Sequence, residues 1–119
     1  CAKCTIARGT LTDTIIQSYV KIDDQVHIGH NCMIGEKTII TACAELSGGV
    51  TVGKKCWIGP NTSIIQKINI DEGVTVGIGS IVTKSVLRKK KIMGLEALEL
   101  RSLIKINFAL SIFLWLFKN

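Results

Sequence analysis

The chain has 119 residues, of which 15 are basic and 9 acidic, so its net charge is +6. This length fits one domain with its own core, and the modest basic excess favours an anionic partner. Aromatic residues make up only 5% of the chain and are not interleaved with basic ones, which argues against single-stranded nucleic acid as that partner.

The first fourteen residues do not follow the repeat that comes later. Cys1 and Cys4 form one CxxC pair without a second pair, so no metal site is expected there. Because the chain begins with cysteine rather than methionine, we expect it to be a piece of a longer protein. Ile6 and Ile16 lie ten residues apart, which predicts a partial first turn of structure with a loop near Arg8 to Thr14.

A six-residue repeat dominates the chain from Lys21 to Val86. Its period fits neither an α-helix nor simple alternation, but it does fit short parallel strands joined by sharp corners. Three blocks then make one triangular coil, and stacked coils bury a continuous column of side chains. A β-rich chain with chance periodicity is the alternative, which twelve aliphatic positions in register disfavour. Those positions are Ile16, Ile22, Ile28, Ile34, Ile40, Leu46, Val52, Ile58, Ile64, Ile70, Val76 and Val82.

Small residues accompany the aliphatic column. A small or β-branched residue lies two positions before nearly every aliphatic one, where it allows the corner to pack. Glycine follows the aliphatic residue at Gly29, Gly35, Gly53, Gly59 and Gly77, and we expect it to ease a tight turn.

A basic run, Arg88 to Lys91, follows the repeat. Apolar residues at helical spacing from Met93 to Phe108 then predict a C-terminal amphipathic helix. The apolar stretch from Phe108 to Phe117 has only ten residues, which predicts that it is too short to span a bilayer. Three interpretations of this C-terminal segment remain open. It could be a helix that packs on a trimer, an interfacial membrane anchor, or a tail that does not belong to the repeat and arose by truncation or frameshift. The predicted domains are a β-helix over 1–86 and a basic linker with a helix over 87–119.

The repeat resembles that of the hexapeptide-repeat acyltransferases, which form a left-handed parallel β-helix. RGTLTDT at 8–14 and KIDDQVHIGHN at 21–31 are similar to the RGALDDT and IDNQ…IAHN segments of the UDP-3-O-acylglucosamine N-acyltransferase family of lipid A biosynthesis. The family's N-terminal uridine-binding domain is not in this sequence, and Lys67 stands where the family carries a second histidine. The matching residues are Arg8, Gly9, Leu11, Asp13, Thr14, Ile22, Asp23, Gln25, His30 and Asn31.

The resemblance implies transfer of a 3-hydroxyacyl chain from acyl carrier protein to the 2-amine of a UDP-linked, O-acylated glucosamine lipid precursor. Acyl carrier protein, or acyl-coenzyme A, would be a co-substrate, with no tightly bound cofactor and no metal. The implied assembly is a homotrimer with sites in the grooves between subunits. An odd count of five cysteines favours a reducing cytoplasm, and peripheral contact with the inner membrane through the C-terminal segment remains open.

His30 is the candidate general base, because imidazole titrates near the working pH. One coil is eighteen residues, so Gly48 is expected to lie over His30 and its N–H to stabilise an oxyanion. Cys32 occupies an inward slot and is a poor nucleophile, and no Ser-His-Asp set is evident, so we expect direct attack of the acceptor on the thioester. The expected substrate-binding residues are His27, Asn31, Asp13 and Gly49.

Two other functions remain open. Lys67 in place of histidine favours a changed acceptor, as in an acetyl-CoA-dependent sugar O- or N-acetyltransferase for surface polysaccharide. A non-catalytic β-helix that serves only assembly is the third possibility. The basic run Arg88 to Lys91 could bind acyl carrier protein or the 3′-phosphate of coenzyme A, or be a solvated charge run.

Overall fold

The structure is a computed structural model that describes residues 2–94 and 97–118. Within these ranges the chain forms fourteen two-residue strands and one helix. The strands are β1 (Thr5–Ile6), β2 (Ile15–Ile16), β3 (Lys21–Ile22), β4 (His27–Ile28), β5 (Met33–Ile34), β6 (Ile39–Ile40), β7 (Glu45–Leu46), β8 (Thr51–Val52), β9 (Trp57–Ile58), β10 (Ser63–Ile64), β11 (Asn69–Ile70), β12 (Thr75–Val76), β13 (Ile81–Val82) and β14 (Lys91–Ile92), and the helix is α1 (Leu100–Lys118).

The strands stack into three parallel sheets, which are the three faces of a solenoid. Their orders are β1-β4-β7-β10-β13, β2-β5-β8-β11 and β3-β6-β9-β12-β14. Ile16, Ile34, Val52 and Ile70 lie in one register on the second of these faces. The twelve predicted blocks are strands β2 to β13, so the predicted parallel β-helix and its eighteen-residue coil are confirmed.

The second residue of each strand from β4 to β13 is buried, and together these residues form the core. Ile28, Ile34 and Ile58 have no exposed surface, because each is stacked between its counterparts in the coils above and below. The buried hydroxyl group of Thr38 donates to the Gly53 carbonyl at 2.7 Å, and that of Ser80 donates to the Gly77 carbonyl at 2.7 Å. Buried polar groups in the column are therefore paired, as a dry interior requires.

The corners have a left-handed backbone at every sixth residue from Tyr19 to Gly79. Most of these corner residues are not glycine, and Asn31 is among them with a φ of 57°. The prediction that the glycine after the aliphatic residue eases the turn is wrong. A Cβ on Gly29 would lie 2.7 Å from the Gly48 nitrogen, so this glycine avoids a clash with the backbone of the next coil.

Both ends of the solenoid depart from the period of six. Thr5 pairs with His27, and the separation between them is four residues longer than one coil. These extra residues lie in the predicted loop between β1 and β2. The repeat was predicted to end at Val86, but β14 pairs beyond it with β12. Val86 pairs with Ile70, and the separation between them is two residues shorter than one coil. The repeat is therefore out of register here, and the period of six does not predict β14.

The helix α1 follows the solenoid, and none of its described residues is buried. Met93 was predicted to begin the helical spacing, but it follows β14, and its side chain lies against Gly77. The prediction that the apolar segment is too short to span a bilayer is wrong on length, because the helix begins at Leu100. Among the described residues α1 is the one helix whose length and composition suit a membrane crossing, with a mean hydropathy of 1.6.

Candidate functional site

His30 lies at the corner that follows β4 and is exposed to solvent. The chain turns there through Asn31, and the next coil turns directly above it. The His30 carbonyl accepts a hydrogen bond from the Gly49 N–H at 2.8 Å, and the Gly48 carbonyl accepts one from the Lys67 N–H at 3.0 Å. Three successive coils therefore place His30, Gly48 and Lys67 at one edge of the solenoid, as the eighteen-residue period predicts.

Gly48 lies against the His30 imidazole. A Cβ added at Gly48 would overlap the ring, at 2.6 Å from Cε1 and 3.0 Å from Cδ2, with Nε2 closer still. The ring thus occupies the space that any other side chain at position 48 would fill. No described residue accepts a hydrogen bond from the Gly48 N–H, so this donor is available.

The Asn31 side chain holds the imidazole from the other side. Its Oδ1 lies 2.9 Å from His30 Nδ1 and accepts the Thr10 hydroxyl at 3.0 Å and the Thr10 N–H at 3.3 Å. Its Nδ2 donates to the Thr12 carbonyl at 2.9 Å and to the Thr12 hydroxyl at 2.7 Å. The Asn31 backbone N–H donates to the Thr14 hydroxyl at 3.0 Å. Both ends of the amide are therefore bound to the loop between β1 and β2.

This network determines the tautomer of His30. The Thr12 carbonyl can only accept, so it must face Nδ2, and the Thr10 N–H can only donate, so it must face Oδ1. Because Oδ1 is an acceptor without a proton, His30 Nδ1 has to carry the hydrogen. In the neutral imidazole Nε2 then carries the lone pair. Nε2 lies next to Gly48, which is the arrangement that a general base needs.

The roles of Thr10 and Thr12 were not predicted from the sequence. Their loop was marked only by the break in register between Ile6 and Ile16. The cluster of threonines at 10, 12 and 14 was the available signal, because hydroxyl groups can both donate to and accept from an amide. A loop folded against a corner can satisfy an amide at that corner, but the sequence does not show which corner.

The other predicted residues lie around this network rather than in it. Asp13 is exposed in the loop and makes no hydrogen bond or ion pair with a described residue. His27 lies on the outer face of β4, in register with Glu45 of β7. Gly49 has a φ of 73°, and the Lys67 side chain passes over it, with Cγ 3.3 Å from where a Cβ would be.

Cys32 is buried directly below this edge. Its thiol donates to the Ser47 carbonyl at 3.2 Å, and burial raises the pKa of the Cys32 thiol. A buried thiol that holds its proton is a weak nucleophile, so the geometry agrees with attack by the acceptor itself. Within residues 2–94 and 97–118, no three histidine, cysteine or acidic side chains come together as a metal site would need, and Cys1 lies outside the described residues.

Part of the repeat matches a family of hexapeptide-repeat transferases. Residues 13–48, which include His30 and Gly48, match the family described as "Bacterial transferase hexapeptide (six repeats)". The resemblance predicted from the sequence is confirmed for this segment.

Three relatives by sequence carry the name of one enzyme. Over 39 residues the chain is 59% identical to UDP-3-O-acylglucosamine N-acyltransferase of Burkholderia multivorans, 56% to that of Paraburkholderia phymatum and 51% to that of Leptospira biflexa. Each match covers 33% of this chain and 11% of the relative.

A solved structure shares the fold. Serine acetyltransferase isoform 3 from Entamoeba histolytica, in complex with cysteine, is similar with a TM-score of 0.54 and 15% identity. The likeness covers 81% of this chain and 41% of that one. At this identity it supports the β-helix and carries no information on substrate.

Proposed function

We propose that this chain carries the acyl-transfer site of an N-acyltransferase of the lipid A type. The observation that carries the proposal is the position of the His30 imidazole, whose Nδ1 lies 2.9 Å from Asn31 Oδ1 and whose Nε2 lies against Gly48. The relatives that are 51–59% identical over 39 residues bear the name of that enzyme, which supports this acceptor class.

The proposed step is direct transfer from a thioester to an amine. The 2-amine of the UDP-linked glucosamine attacks the thioester carbonyl, and His30 Nε2 takes the proton that the nitrogen loses. The carbonyl oxygen becomes an oxyanion, for which the Gly48 N–H is a donor. The C–S bond then breaks, and the imidazolium returns its proton to the departing thiolate of acyl carrier protein. Nδ1–H stays bonded to Asn31 throughout, so the positive charge forms next to an oriented acceptor.

A second candidate is acetyl transfer from coenzyme A to a sugar hydroxyl or amine. Lys67 favours it, since the position one coil above Gly49 carries an ammonium group rather than an imidazole. An ammonium there would repel a protonated amine acceptor, which favours transfer to a hydroxyl group. The base and the oxyanion donor would keep their roles.

We also propose a homotrimer located in the cytoplasm. His30 lies on an open edge of the solenoid, and the interior is filled by Ile28, Leu46 and Ile64, so no cleft can form inside one chain. A pantetheine arm and a sugar need walls on two sides. A neighbouring copy related by rotation supplies the second wall. Sedimentation of the purified protein should give three times the chain mass, and a fully active monomer would contradict this.

The two transfer reactions are separated by one set of incubations. The protein is mixed either with 3-hydroxyacyl-acyl carrier protein and UDP-3-O-acylglucosamine or with acetyl-coenzyme A and amino sugars, and products are followed by mass spectrometry. Diacylated UDP-glucosamine supports the first candidate, and acetylated sugar alone supports the second. His30→Ala is the control, because equal rates in both proteins would contradict the role of His30 as the base and favour a β-helix that serves assembly.

A further inference from the structure

The excess positive charge of the chain lies entirely in its last 36 residues. Residues 1–83 carry seven basic and seven acidic residues, whereas residues 84–119 carry eight basic and two acidic ones. Arg88–Lys91 lie on the last coil, which β14 completes, and all four side chains are exposed. Within the described residues one ion pair involves this run, Arg88 with Glu72 at 3.7 Å, and their side chains are 66% and 45% exposed. The C-terminal end of the solenoid therefore presents a cationic surface.

The helix α1 adds a continuous apolar surface next to this charge. Its apolar stripe consists of residues spaced three and four apart along the whole helix, all exposed by 40% or more: Leu103, Ile106, Leu110, Phe113 and Phe117. The other side of the helix also exposes large apolar groups, such as Phe108 and Ile112. A groove on a protein covers one stripe of a helix, whereas the membrane interface also accommodates the apolar groups that lie beside that stripe.

The polar groups of α1 suit a lipid environment. In the ten residues from Phe108 to Phe117 the one hydroxyl, Ser111, donates to the Asn107 carbonyl at 2.9 Å, so it needs no water. The cations lie at the two ends of the helix, with Arg101 and Lys105 in the first turns and Lys118 at the last residue.

The distance between these cations indicates how the helix lies. Twelve uncharged residues separate Lys105 from Lys118, which is about 18 Å of helix. The hydrocarbon core of a bilayer is about 30 Å thick, so a crossing would draw one cation into it. A helix in the membrane plane keeps all three cations at the head groups while its apolar stripe enters the acyl chains.

We propose that α1 and the basic run Arg88–Lys91 together form a surface that binds an anionic lipid bilayer. The helix lies in the plane of the membrane with its apolar stripe in the acyl chains. The basic run contacts anionic head groups, which strengthens the attachment and holds the solenoid at the membrane surface. This surface is independent of the proposed acyl transfer, because His30 lies on an earlier coil.

Vesicle flotation of the 119-residue protein tests the proposal. We expect binding to vesicles of phosphatidylcholine with phosphatidylglycerol, and weaker binding to phosphatidylcholine alone. Raising the salt concentration should weaken only the additional binding that phosphatidylglycerol provides. Lys90→Gln with Lys91→Gln should lower that additional binding by about tenfold or more, and leave binding to phosphatidylcholine unchanged. Absence of binding to anionic vesicles would overturn the proposal.

A matched pair of variants tests the orientation of the helix. Phe113→Asp places a charge in the apolar stripe, whereas Ser111→Asp places the same charge on the opposite side of the helix. We expect Phe113→Asp to weaken vesicle binding by about tenfold or more and Ser111→Asp by about twofold or less. Equal losses would contradict the in-plane arrangement. In a Trp57→Phe background, Trp115 should be quenched more by labels near the head groups than by labels at the bilayer centre, and the reverse order would also contradict it.

Two further measurements distinguish a membrane-binding surface from the active site and from an interface between copies of the chain. His30→Ala should bind vesicles as the parent does, whatever its effect on acyl transfer. Sedimentation without lipid should show the same assembly for Phe113→Asp and the parent. If Phe113→Asp instead dissociates the assembly and leaves vesicle binding unchanged, α1 is covered by a second copy of the chain and the membrane proposal fails.

Discussion

Replacing Gly48 by alanine gives the sharpest test of the proposed base. The added Cβ would lie 2.6 Å from His30 Cε1 and 3.0 Å from Cδ2, whereas carbon atoms pack at about 3.5–4.0 Å. The ring therefore has to retreat by about 1 Å, and a displacement of about 1 Å at a reacting group costs about 100-fold in rate. Gly48 is not among the left-handed glycines, so alanine fits its backbone and the fold should be retained.

Steady-state kinetics and thermal unfolding of Gly48→Ala provide the assay. We expect the turnover number to fall by about 100-fold with little change in the unfolding midpoint. Gly77→Ala is the matched control, because its Cβ would also meet a side chain, Met93 at 2.9 Å, but at the far end of the solenoid. In a His30→Ala background, Gly48→Ala should cost no further activity. If Gly48→Ala keeps the turnover number of the parent, catalysis does not depend on the contact between the His30 ring and Gly48.

Other consequences concern the tautomer, the core and the buried thiols. Asn31→Ala removes the acceptor for His30 Nδ1–H, so ¹⁵N NMR should show mixed tautomers and turnover should fall by about tenfold or more; a single unchanged tautomer would contradict the network. Ile58→Ala should lower the free energy of unfolding in urea by about 2–5 kcal/mol, since this side chain is fully buried, and a loss well under this range would contradict its packing. Cys32 and Cys56 should resist alkylation in the folded protein, because both are buried, and rapid labelling of either would show that the column opens. Burial raises the pKa of both thiols, so their stabilising effect is complete below the unfolded pKa of about 8.5 and is lost as pH rises through the higher folded pKa. Urea unfolding should therefore show falling stability above about pH 8.5, with a smaller fall in Cys32→Ala.

The corners show where a prediction from the period succeeds and where it fails. The aliphatic column follows from the sequence, because each inward position recurs in the same environment. The left-handed corners do not, since residues as different as Tyr19, Gln25 and Lys37 occupy them. Their backbone is imposed by the stacking of coils, which outweighs the local preference of each residue. Likewise, position 29 requires glycine because a Cβ there would clash with the backbone of the next coil, and not because its own turn needs a glycine.

The sequence by itself determined the solenoid, its inward column and the position of Gly48 over His30, because in stacked coils a fixed period sets which residues meet. It also indicated an inserted loop before the repeat and a helix after it. Only the tertiary structure decided that Thr10 and Thr12 hold the Asn31 amide, across 21 and 19 residues, and thereby turn its Oδ1 towards His30 Nδ1. It likewise decided that β14 extends the solenoid and that α1 begins at Leu100. A loop and a phase shift have no period, so their contacts depend on the folded surface against which they pack.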